Sequence, residues 1–114
     1  MKTRDILSGA GLLVAILAGS GIATATPTET QVAVQVFQFR PAQLEVKAGT
    51  RVTWTNGDEI THTVTSGTPA ERAGRFAQRL EGRGAAATVE LKTPGVYPYF
   101  CERHPSMRGE IRVN

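Results

Sequence analysis

Val32, Val34 and Val36 occupy every second position, separated by Ala33 and Gln35, and Phe37-Gln38-Phe39 follows. A period of two puts such residues on one face of a β-strand. Arg40-Pro41 interrupts the run, Leu44-Glu45-Val46 resumes it, and Ala48-Gly49 turns the chain. Val52 and Trp54 alternate with Arg51, Thr53 and Thr55 up to Asn56-Gly57-Asp58, a strong turn signal. His62 to Thr65 is rich in β-branched residues. Ala87 to Leu91 alternates, Pro94-Gly95 turns, Val96 to Cys101 is an aromatic-rich strand, and Gly109 to Val113 ends the pattern. Short strands with frequent turns predict an all-β chain, an antiparallel sandwich or barrel.

One stretch carries two periods. Between Pro69 and Gly84, arginines at 72, 75, 79 and 83 recur at helical spacing, and Phe76 and Leu80 stand four apart. Phe76, Gln78 and Leu80 also alternate as in a strand, and Gly74, Gly82 and Gly84 weaken a helix. An irregular strand-and-loop crossover is the expectation.

The start of the chain reads differently. Lys2 and Arg4 precede an uncharged run from Ile6 to Ala25 that ends in Ala23-Thr24-Ala25. A basic start, an apolar middle and an Ala-x-Ala end predict a secretory signal peptide over 1–25, leaving 26–114 as one exported domain. If uncleaved, the run is near the length of a membrane anchor. A membrane role follows only in that case.

Thirteen Lys and Arg against ten Asp and Glu give a formal charge of +3, too weak and scattered an excess for a nucleic-acid binder. The single cysteine, Cys101, excludes an internal disulfide, a four-cysteine zinc site and a Cys-x-x-Cys redox pair. A small exported domain without disulfides has reason to use a bound metal instead.

The candidate chemistry is concentrated in Cys101-Glu102-Arg103-His104-Pro105-Ser106-Met107. A soft thiolate, an imidazole and a weak thioether suit copper, and a blue copper site needs a second imidazole. The only other histidine is His62, just past the Asn56-Gly57-Asp58 turn. Tyr97, Tyr99 and Cys101 share one strand face, which would bring the thiol to the end of the core. Taken singly, a cysteine, a methionine and a histidine are more often core filler or surface; it is the set that points to a metal. A Cys–His nucleophilic dyad is the enzymatic alternative, but no third group orients it. A Cys-His-His zinc site of structural role also stays open.

These residues resemble the cupredoxins, the type 1 blue copper proteins of amicyanin-like or plastocyanin-like kind. The matching segments run from Phe39-Arg40-Pro41 through Leu44–Gly49, Val52–Asn56 and His62-Thr63-Val64 to Pro94–Cys101 and His104–Gly109. The resemblance implies a Greek-key β-sandwich holding one copper ion, with His62, Cys101 and His104 equatorial and Met107 axial. It implies a monomeric periplasmic electron carrier, not an enzyme, cycling between Cu(I) and Cu(II). Its partners would be redox proteins, a donor such as a dehydrogenase and an acceptor such as a cytochrome c or oxidase. The alternative is a copper-binding module for sequestration or delivery. A redox-enzyme subunit ranks third, and a binuclear centre would need a second cysteine. Thr63 stands where many relatives have Asn, and Glu102 where they often have Ser or Thr; in the family those side chains tie the two ligand loops together. His104 is the expected electron port, with Arg103, Arg108 and the 72–83 arginines as candidate steering charges.

Overall fold

The structure is a computed structural model that describes residues 28–114. The segment read as a signal peptide lies outside the described residues. Among the described residues nine strands follow one another: β1 (Glu29–Gln35), β2 (Gln38–Arg40), β3 (Gln43–Val46), β4 (Thr50–Asn56), β5 (His62–Gly67), β6 (Arg72–Leu80), β7 (Ala86–Leu91), β8 (Gly95–Phe100) and β9 (Arg108–Val113). They form two sheets, one in the order β2-β1-β4-β7 and one in the order β3-β9-β8-β5-β6. The expected all-β sandwich is therefore observed, with one correction to its pairing. β1 pairs with β4 in parallel, and so does β3 with β9. The physical reason is connectivity. β3 lies in the second sheet, so β4 comes back to β1 by a crossing between sheets rather than by a hairpin.

The alternating positions fill the space between the sheets. Val32, Val34, Val52 and Trp54 of the first sheet and Val64, Tyr97, Tyr99 and Ile111 of the second are all buried in one core. Aromatic rings meet edge-on: Trp54 and Tyr99 at 5.3 Å and 80°, Phe39 and Tyr99 at 4.8 Å and 69°. Burial pushes the Tyr99 hydroxyl up to about 12, so this ring stays neutral in the core. Gly109 is required by this packing, since a Cβ there would fall on the Tyr99 ring. The aromatic layer ends at Cys101, one residue past β8.

Two sequence expectations change. Val36 does not continue β1. Gln35 pairs with Gln38, so Val36 and Phe37 form a two-residue hairpin turn with φ of 51° and 59°. Such turns need positive φ at both positions and favour Asn-Gly. A β-branched residue there is strained, at on the order of 1–3 kcal/mol. Val36 leaves the core and is 65% exposed. The 72–83 stretch, expected as an irregular strand-and-loop crossover, is largely the nine-residue β6, antiparallel to β5 with His62 opposite Leu80 and irregular in its first half. Phe76 and Leu80 point inward and Gln78 is half-buried between them, as the period of two demands. The irregularity lies on the β6 side of a register shift: Thr65 pairs with Ala77 and Gly67 with Arg72, so residues 73–76 stand against Ser66 alone, with Gly74 at φ 74°.

Candidate metal centre

The sequence-predicted residues arrive at one pole from two loops. His62 opens β5, Cys101 follows β8, and Met107 precedes β9. The segment between Cys101 and Met107 closes on itself. The Met107 N–H donates to the His104 carbonyl at 2.8 Å, and the Cys101 N–H donates to the Met107 carbonyl at 3.1 Å. Arg108 Nε caps the Pro105 carbonyl at 2.9 Å. Ligand atoms of His62, Cys101 and His104 all lie within 4.8 Å of one another. Cys101 and His62 are fully buried and Met107 is 2% exposed.

The donor set fits a metal. His104 Nδ1 is buried and has no hydrogen-bond partner, although the residue itself is partly exposed. A buried ring nitrogen without a partner calls for a missing one. His62 Nδ1 lies 3.8 Å from Cys101 Sγ. Nitrogen and sulfur bound at about 2.0 and 2.3 Å to one ion in a trigonal plane stand ~3.7 Å apart. The soft sulfur and imidazole donors suit copper.

Around His62 the sequence had shown only a turn. Asp58 Oδ2 lies 2.8 Å from His62 Nε2, and the same carboxylate accepts from the Val36 and Phe37 N–H groups at 2.9 and 3.2 Å. Burial pushes the Asp58 carboxyl up, but the Val36 N–H, the His62 ring and the Phe37 N–H together hold it below its ordinary value. Asn56 fixes the loop: its Oδ1 accepts from Asp58 N at 2.8 Å, and its Nδ2 donates to the Ile60 and Leu80 carbonyls at 2.8 and 3.2 Å. The Phe37 ring then lies edge-on to both imidazoles, 4.9 Å from His104 and 5.5 Å from His62. No residue pattern named Asp58 or Phe37 in advance. The Asn-Gly-Asp turn four residues before His62 was the only signal.

On the other side, the tie between the ligand loops is rebuilt with different side chains. Thr63 Oγ1 accepts from the Glu102 N–H at 2.8 Å and meets Thr65 Oγ1 at 3.1 Å. The Thr65 hydroxyl donates to Glu102 Oε2 at 2.9 Å, and Arg72 donates to Glu102 Oε1 at 2.9 Å. The Thr63 N–H points at Cys101 Sγ at 3.4 Å. The departures at 63 and 102 therefore preserve the connection. The arginines between 72 and 83 do not form a free positive stripe. Arg72 pairs with Glu102, Arg79 with Glu81 and Arg83 with Glu59, while Arg75 lies 4.8 Å over the Tyr97 ring.

With this arrangement in view, the profile of the copper binding proteins of the plastocyanin/azurin family matches residues 26–114. The chain belongs to that family. It is 32% identical over 90 residues to amicyanin-alpha of Methylorubrum extorquens, covering 74% of this chain and 71% of that protein. It is 36% identical over 83 residues to chloroplastic plastocyanin of Tetradesmus obliquus, covering 66% of this chain and 57% of that one. Among solved structures, a purple cupredoxin from Nitrosopumilus maritimus superposes with a TM-score of 0.67 at 26% identity, covering 74% of this chain and 98% of that one. A reduced amicyanin variant gives 0.66 at 25%, covering 79% and 86%. The cupredoxin fold and a donor set suited to a type 1 copper site thus agree.

Proposed function

We propose that this cupredoxin is a single-electron carrier, exported to the periplasm as residues 26–114, that holds one copper ion through His62, Cys101, His104 and Met107. The observation that carries this reading is the buried His62–Cys101–His104 cluster with its unpartnered Nδ1. Bound there, copper would supply a one-electron couple between Cu(I) and Cu(II). The chain's own part is to hold the donors still. Asp58 and Asn56 fix the His62 side, and Thr63 and Glu102 tie it to the Cys101 loop. Burial of Cys101 and Met107 excludes water from the thiol and the thioether. Solved structures of amicyanin variants include a Cu(I) form, which supports copper as the metal of such a site. A rigid buried site also speaks for transfer rather than copper delivery, which works through exposed donors. No substrate is transformed.

His104 is the proposed electron port, because it alone of the three clustered donors reaches the surface. Exposed Val36 and Phe37 lie on the adjoining β1–β2 turn, and Ile60 is exposed on the β4–β5 loop. Such an apolar rim suits the brief, small contact of a redox protein partner. The test is to add Cu(II) to the purified mature domain. An intense blue absorption is expected from the thiolate, and Cys101→Ser should lose it completely. A variant that stays blue, or a wild type that gives only a colourless complex, would overturn the assignment.

A further inference from the structure

Asp58 joins three things that the electron-carrier reading treats separately: a metal donor, a strained turn and an aromatic cover. We propose that Asp58 is a positioning residue of the metal centre, whose one carboxylate holds the Val36–Phe37 turn closed over the pole and fixes His62 with Nε2–H toward Asp58 and Nδ1 free for the metal. The second half of this rests on the copper reading above.

The hydrogen-bond inventory carries the argument. An ionised carboxylate only accepts, and a neutral imidazole has one N–H and one lone pair. With Asp58 Oδ2 2.8 Å from Nε2, the proton belongs on Nε2 and the lone pair on Nδ1, the atom nearest Cys101 Sγ. His62 is fully buried, so water does not compete for either nitrogen. The same carboxylate takes both turn N–H groups. A turn with Val36 and Phe37 at φ 51° and 59° opposes intrinsic preference, which would place Asn and Gly there. Phe37 brings a ring that covers both imidazoles, which glycine cannot. Asp58 is thus the group that holds an unfavourable turn where its side chain is useful. Its negative charge also strengthens His62 as a donor, which favours the more highly charged oxidised metal.

Three variants test this: Asp58→Ala, Asp58→Asn, and Asp58→Ala combined with Val36→Asn, a residue that tolerates the left-handed conformation. Nitrogen NMR of the metal-free wild type should place the His62 proton on Nε2, and Asp58→Ala should give a mixture of tautomers. The metal-free melting temperature should fall in Asp58→Ala and recover in part with Val36→Asn. In the copper-loaded protein the reduction potential should rise in all three. A tenfold or greater shift in the oxidised-to-reduced stability ratio, 59 mV for one electron, is expected. Val36→Asn should not reverse that rise. Asp58→Asn keeps size and an acceptor, so it serves where Asp58→Ala does not fold. Unchanged tautomer and potential in the Asp58 variants would overturn the proposal, and so would full recovery of the potential by Val36→Asn. A wild type that takes up no copper would sink the copper reading alone, leaving the tautomer and the metal-free stability to decide the role of Asp58.

Discussion

His62 and His104 approach the same point from opposite kinds of structure. His62 begins an inner strand of the five-stranded sheet, is fully buried, and has a partner for its second ring nitrogen. The loop before it is pinned by Asn56 and Asp58 to the β1–β2 turn, to His62 of β5 and to Leu80 of β6. His104 sits on a seven-residue loop closed by backbone bonds, partly exposed, held by one turn and the edge of Phe37. One side is built into the sandwich and the other is laid on top of it. A site that must stay rigid yet be reached from outside needs both. In the proposed electron carrier the rigid side would set the geometry and the surface side would offer a short path to a partner.

Removing each histidine should expose that asymmetry. In the metal-free protein His62→Ala leaves a cavity and a carboxylate without its partner, and should cost about 3 kcal/mol. His104→Ala removes a half-exposed ring with no satisfied polar bond and should cost about 1 kcal/mol or less. Urea unfolding of the two apo variants measures the difference. Equal losses would show that the pole is one cooperative unit and that the contrast between its halves is false.

Much of this was legible in the sequence because it depends on local period and spacing. Cys-x2-His-x2-Met is one short loop, and Tyr97, Tyr99 and Cys101 share a face by strand geometry alone. His62 followed as the only second imidazole. Val36 was misplaced because a hairpin turn can break an alternation that continues on paper, and only φ tells the two apart. β6 was blurred because its arginines happen to repeat at helical spacing. Asp58 and the Glu102–Thr65–Thr63 circuit were hidden for a different reason. Apart from the Asp58–His62 bond, four residues apart, they join positions 21 to 39 residues apart, and no local pattern encodes such a contact.

The tie between the halves is the next place to press. Thr63→Ala deletes the acceptor of the Glu102 N–H and should cost about 1 kcal/mol, with Thr63→Ser restoring most of it. Arg72→Ala removes only an exposed ion pair to the same carboxylate and should cost about 0.5 kcal/mol or less. Melting curves of the three variants decide. An Arg72→Ala loss as large as that of Thr63→Ala would mean that the carboxylate, rather than the backbone N–H, carries the connection.

The smallest structural effect and the most specific functional one should come from Ser106→Glu. Ser106 is exposed between His104 and Met107, and its removal from the core means that stability and the copper spectrum should not move. Arg103 and Arg108 flank it, and neither has an acidic partner among the described residues. Three of the four arginines between 72 and 83 hold ion pairs of their own, so steering of an acidic partner falls mainly to these two. A glutamate between them cancels part of that field at the point of closest approach. Association with the physiological redox partner should slow several-fold at low salt, and the gap should close as ionic strength rises past about 0.1 M, where charges ~10 Å apart are screened. Stopped-flow electron transfer across a salt series gives the answer. Rates that ignore both the substitution and the salt would place the electron's exit elsewhere on the sandwich, and the surface half of the pole would lose its assigned purpose.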